Sequence, residues 1–239
     1  MKIVNCPWPH APTRLDCMGW NVMTKTPASR DRTPSLGEEI ANSVSHGVGL
    51  LATVTAAPVL VLSAVRHDGA ARVAGASVFA ATMVLLYLIS TLYHALPRNR
   101  AKRVLQVLDH AAIFLMIAGT YTPFTLGVLR GAWGWTLLGI VWGLALAGVV
   151  LTAVGGVRYP KLRTSLYLAM GWLILIAIKP LWLRMPSEGL FWLLAGGIAY
   201  TVGVPFYAAK RIRYSHFVWH LFVITGTACH FIAVLRFAA

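Results

Sequence analysis

Seven apolar runs, each about long enough to cross a bilayer, dominate this 239-residue sequence. They cover 43–65, 73–95, 107–129, 133–155, 164–183, 190–209 and 216–236. A spanning helix needs about 20 such residues. In hydrocarbon, only helices and closed barrels satisfy every backbone polar group. The separators are short and polar: RHDGAAR, PRNRAKR, RG, VRYPKLR, LRMPSEG and KRIRYS. The pattern predicts an all-α integral membrane bundle of seven transmembrane helices. With 58% hydrophobic and 12% charged residues, the chain carries about half the charge of a soluble domain. No internal repeat and no second soluble domain is expected.

Orientation follows from Lys and Arg. With the N-terminus inside, the inner segments hold fifteen and the outer ones five, alternating at every crossing as the positive-inside rule requires. The N-terminus is expected to be cytoplasmic and the C-terminus outside, in a bacterial plasma (inner) membrane. The net charge of +14 therefore belongs beside anionic lipid, and nucleic acid is excluded as a partner. Residues 1–36 carry no long apolar stretch, so no cleavable secretory signal is expected. They read as a disordered cytoplasmic tail before a membrane domain over 37–239, and Met18 or Met23 are alternative starts. Cys6, Cys17 and Cys229 have no CxxC spacing, which removes a disulfide framework and a cysteine zinc site.

Ionisable side chains inside spans are costly and mark function. On this topology Glu39, Asn42 and His46 of the first helix, Ser90 and His94 ending the second, Asp109 opening the third, and His216 and His220 opening the seventh all reach the same leaflet. His216 and His220 are four apart and project from one helical face, a spacing at which two imidazoles bind one metal ion. Alone, such a pair also serves interhelical hydrogen bonding. Adding His94 makes a three-histidine zinc site with its fourth position open, the ligand count of catalytic zinc. Asp109 and Ser90 are then placed to handle water or a substrate oxygen. Haem fits less well, because two histidines on one face cannot ligate from opposite sides. His110 is turned about 100° from Asp109, and His230 lies about 15 Å along the helix from His220, so neither joins the site. Lys179 can snorkel to the outer interface.

Gly139, Gly143 and Ala147 form a small-residue stripe expected to bring the fourth helix close to a neighbour. Trp133, Trp135 and Trp182 sit near span ends, as an aromatic belt requires. Thr120–Tyr121–Thr122–Pro123 combines a Pro with hydroxyl residues and predicts a kink in the third helix.

The ordered set Glu39-x2-Asn42-x3-His46, Ser90-x3-His94, Asp109 and His216-x3-His220, with the run LDHAAIFLMIAGTYTPF, resembles the hemolysin III family. That family belongs with the adiponectin and progestin receptors and, more distantly, with alkaline ceramidases. The resemblance covers about residues 36–236. It implies an intramembrane zinc near the cytoplasmic face, held by His94, His216 and His220. Asp109 would act on the zinc-held water with Ser90 beside it, and Glu39, Asn42 and His46 would form a supporting polar network. Three functions follow as expectations. The chain is a zinc-dependent hydrolase of lipid amides or esters, or a non-enzymatic sensor with structural zinc, or a cytolysin of the hemolysin type. Membrane lipids are the expected partners, with a lipid substrate among them.

Overall fold

A computed structural model describes residues 32–67 and 69–239; the expectations for the tail through residue 31, including Met18, Met23, Cys6 and Cys17, lie outside them. Seven helices are long and apolar enough to span a membrane: α1 Leu36–Arg66, α2 Ala70–Ala95, α3 Arg100–Leu129, α4 Gly131–Gly155, α5 Pro160–Arg184, α6 Ser187–Ala208 and α7 Ser215–Phe237. The described residues form no strand.

The first helix begins well before the apolar run that announces it. Ser35 and Glu38 form a reciprocal cap: the Ser35 hydroxyl accepts from the Glu38 amide at 3.4 Å, and Glu38 Oε2 accepts from the Ser35 amide at 2.9 Å. Two of the orphan amides at a helix start are thereby satisfied, so residues 36–42, with Glu38, Glu39 and Asn42 among them, join α1. Glu39, Asn42 and His46, at i, i+3 and i+7, consequently share one helical face. Asn99 does the same for α3, accepting from the Lys102 amide at 2.8 Å.

Helix α1 packs on α2 and α7, α2 on α3, α3 on α4, and α6 on α7. Helix α3 is central: 72% of its most apolar stretch is buried, against 17% for α5. Pro123 has no amide hydrogen to continue the α-helical ladder, and α3 finishes as a π-helical turn over Phe124–Leu129. The Thr125 hydroxyl braces this turn, donating to Tyr121 O at 3.1 Å and Thr122 O at 3.0 Å. Gly75 of α2 permits this crossing, since a Cβ there would stand 2.8 Å from the Cα of Pro123.

Helix α5 is interrupted. Residues 160–172 are α-helical, Leu173–Ala177 are 3-10, and Ile178–Arg184 resume the α-helix. Pro180 removes a donor from the last segment. At the break, Tyr121 of α3 inserts its hydroxyl, which lies 2.8 Å from both Met170 O and Gly171 O and accepts from the Ile174 amide at 2.9 Å. Irregular backbone at membrane depth survives only when the protein satisfies it in this way.

The stripe of Gly139, Gly143 and Ala147 does not make the expected contact. All three are exposed, and a Cβ at Gly139 or Gly143 would meet nothing within 4 Å. Helix α4 instead buries Gly134, Leu137, Val141, Ala145 and Gly148. That face combines small residues with branched apolar ones, so it gains packing area as well as close approach. Trp133, Trp135 and Trp182 are exposed, as a belt at the lipid interface requires.

Candidate metal centre

Three histidines converge where α1, α3 and α7 begin and α2 ends. The candidate ligand nitrogens of His94, His216 and His220 all lie within 4.8 Å of one another. The three are therefore close enough to hold one metal ion. His94 sits in the last turn of α2, while His216 and His220 occupy successive turns of α7.

Second contacts determine which nitrogen His94 and His220 present. Nδ1 of His94 lies 2.8 Å from Glu39 Oε2. A carboxylate only accepts, so Nδ1 carries the hydrogen and Nε2 keeps its lone pair. That Nε2 is buried and has no hydrogen-bond partner. An unpaired buried acceptor costs about 1–3 kcal/mol, and a cation supplies what it lacks. Asn42 also approaches His94 Nδ1, at 3.5 Å; the shorter carboxylate contact governs the tautomer. Nδ1 of His220 lies 3.1 Å from the Asn42 carbonyl and 3.1 Å from the Ser45 hydroxyl. The carbonyl again fixes the hydrogen on Nδ1 and frees Nε2. Metal-binding histidines are held this way in general, donating their other N–H to a carboxylate or carbonyl. The residues present fit a cation.

His46 contributes by packing. Its ring stacks on His220, with centroids 3.5 Å apart and planes 12° from parallel, and meets Tyr87 edge-on at 5.1 Å. Neither of its ring nitrogens has a hydrogen-bond partner, so its part in the expected polar network is to hold the His220 ring from behind.

Ser90 and Asp109 are both buried and line one cavity of about 130 Å³ together with His46, His216 and His220. Asp109 does not belong to the histidine group itself; it faces the same space from α3. Most of the remaining wall is apolar, with Leu86, Ile113, Met116 and Ile117 among it. A second cavity of about 160 Å³ adjoins it, sharing Thr120, Tyr121, Gly171, Trp172, Gly197 and His230. Together they extend between α3, α5, α6 and α7 away from the histidines. His230 bonds through Nε2 to Leu193 O at 3.1 Å. His110 bonds to Gln106 O at 2.6 Å, and its own carbonyl accepts from Tyr167.

Lys102 escaped the sequence reading, which counted it only among inner-loop charges. Its ammonium lies 3.1 Å from Glu39 Oε1, donates to Leu96 O at 3.0 Å, and sits 5.0 Å from the centre of the Tyr93 ring. The available signal was Asn99, whose capping places Lys102 in the first turn of α3, seven residues and two turns before Asp109. Ser45 was also missed; it stands three residues from Asn42 and one before His46, where a short hydroxyl beside a motif histidine was the only clue. Lys179 lies in the last segment of α5, remote from the histidines.

The sequence profile described as "Haemolysin-III related" matches residues 35–231. Hemolysin-3 of Bacillus cereus is 44% identical over 203 residues, covering 85% of this chain and 93% of that protein. The Hemolysin-3 homolog of Bacillus subtilis (strain 168) is 44% identical over 201 residues, covering 84% and 94%. Monocyte to macrophage differentiation factor of Homo sapiens is 25% identical over 226 residues, covering 89% and 90%. No solved structure matches. The chain belongs to the haemolysin-III related family, and its seven apolar helices make it a multi-pass integral membrane protein.

Proposed function

We propose that this haemolysin-III family member is a zinc-dependent hydrolase of lipid amides or esters, with zinc held by His94, His216 and His220. One observation carries the reading: a histidine cluster with a buried, unpartnered Nε2 opens onto an apolar cavity that also contains a carboxylate and a hydroxyl. Three neutral imidazoles suit zinc, and a three-ligand set leaves a position open for chemistry. Bound there, zinc supplies Lewis acidity, acidifying water and polarising an amide or ester carbonyl.

The chain's own residues supply the rest. Asp109 accepts a proton from the attacking water and returns it to the leaving amine or alcohol. Ser90 hydrogen-bonds the substrate's polar head. The apolar walls take the acyl chain and exclude bulk water, which strengthens each polar contact in the site. Glu39, the Asn42 carbonyl and Ser45 keep the histidine tautomers that leave ligand lone pairs facing one another.

The proposal includes an orientation. The histidine end faces the cytoplasm and the C-terminal end of α7 faces outward, in a bacterial plasma membrane, on the strength of the Lys and Arg distribution between the connections. A non-catalytic reading has its own support: the ligands come from α2 and α7, which α1 bridges, so a metal also ties those helices together.

Metal analysis of the purified protein, wild type against His216→Ala, paired with a lipid-hydrolysis screen on the same samples, tests both. Zinc at one per chain, lost in the variant together with release of fatty acid, is the expected result. Zinc at full occupancy without turnover of any lipid in a broad amide and ester panel removes the hydrolase and leaves the helix tie. Absence of zinc in wild type purified without chelator removes both.

A further inference from the structure

At the end of the bundle opposite the histidines, three arginines from three different places in the chain surround one depression. Arg72 lies in the first turn of α2, Arg130 joins α3 to α4, and Arg184 ends α5. With Gly127, Val128 and Phe237 they line about 530 Å³ of surface depression. Among the described residues no acidic one lines it. Among the described residues none of the three guanidinium groups has an ion-pair partner. Arg236, on the same end, differs, because Glu188 pairs with it.

The local backbone is shaped around this charge. Arg130 has φ of +46°, a conformation that side-chain-bearing residues adopt at a cost. Its Nε donates to Gly127 O at 2.9 Å, folding the guanidinium back over the depression. Arg72 keeps its Nε buried with no hydrogen-bond partner. Three like charges gathered at a low-dielectric boundary repel one another and leave donors unused, unless an anion joins them. Guanidinium forks match the paired oxygens of a phosphate, where ammonium groups would act only as point charges. Height in the membrane narrows the source. Trp182 is two residues from Arg184, and Trp133 and Trp135 follow Arg130; all three rings are exposed, which marks the headgroup level.

We propose that Arg72, Arg130 and Arg184 form a binding site for a phosphate-type anion, the headgroup phosphate of an anionic phospholipid or free phosphate. It is separate from the histidine site and does not rest on the reading of that site.

The test uses the full chain in nanodiscs of phosphatidylcholine alone or with added phosphatidylglycerol, comparing wild type, Arg184→Gln and Arg72→Gln/Arg184→Gln. Native mass spectrometry and thermal melting read lipid retention and stability. Phosphatidylglycerol is expected to be retained over phosphatidylcholine by the wild type, with retention falling on the order of tenfold per arginine removed. Inorganic phosphate at millimolar concentration separates the sources: if it displaces the lipid and raises the melting temperature of wild type but not of the variants, the free anion is the ligand. If it does neither, the lipid headgroup is. Equal retention of the two lipids by wild type, or unchanged phosphatidylglycerol retention in the folded Arg184→Gln protein, overturns the proposal. Arg184 is exposed at a helix end, so its substitution leaves the fold intact even where the double variant does not.

Discussion

The ammonium of Lys102 stands 3.1 Å from Oε1 of Glu39, while the other oxygen of that carboxylate receives the N–H of His94 at 2.8 Å. One carboxylate thus links the start of α3 to the end of α2 beside the candidate metal centre. A bare carboxylate in this setting would be costly to desolvate, and the lysine offsets much of that cost.

Glu39→Gln should therefore weaken metal binding without removing a ligand. The amide can offer N–H to His94 as readily as a carbonyl, so the tautomer with Nε2 free loses its preference. Metal affinity is expected to fall about 10–100-fold, as for other partners of metal-bound histidines, measured by chelator competition. Unchanged affinity would show that Glu39 does not set the tautomer.

Lys102→Met is expected to act in the same direction through Glu39, and Lys102→Arg to restore most of the effect. Chelator competition on the pair, with melting temperature as a control, distinguishes positioning from general destabilisation. Equal metal affinity in wild type and Lys102→Met rejects the relay.

His46 is expected to matter as a ring. Replacing it with Phe keeps a flat partner against His220 and should retain metal binding. His46→Ala leaves a void behind that imidazole, with a stability loss of about 2–4 kcal/mol, as for other large-to-small core changes. Thermal melts of the metal-loaded proteins in detergent read both. Loss of metal in the Phe variant would instead show that a His46 nitrogen is needed.

Tyr121→Phe removes one hydroxyl shared by Met170, Gly171 and Ile174 at the break in α5. The stranded backbone groups should cost about 1–3 kcal/mol. Faster amide exchange is expected at Ile174, with the rest of the bundle unaffected. Protection at Ile174 equal to wild type would mean the break is held by other means.

Chelation should lower the melting temperature, and zinc added back should raise it with concentration. At a hundredfold excess over Kd the linkage amounts to about 2.7 kcal/mol. A melting temperature indifferent to zinc and chelator would argue against a resident metal of any role.

The sequence exposed the span count and the gathering of polar residues because both are patterns of spacing. Apolar runs declare spans whatever the packing, and i, i+4 pairs such as Ser90–His94 and His216–His220 share a face on any helix. What it hid depends on contacts between helices. The start of α1 at Leu36 rests on the Ser35–Glu38 cap, which lies outside the apolar run. The outward face of Gly139 and Gly143 could not be known until α4 had a neighbour to choose against. Lys102 looked like one more inner charge because its partner, Glu39, is more than sixty positions away. His46 looked like a polar helper because composition does not distinguish a stacked ring from a hydrogen-bonded one.

The histidine centre draws its ligands from the second and seventh helices, with α1 holding both from behind. A ribosome releases α1 and α2 long before α7, so the newly made chain passes through a stage with His94 in the bilayer and no companions. An ion that needs all three histidines can then be captured only once α7 has come in beside α1. An ion held there would in that sense be a record of completed biogenesis.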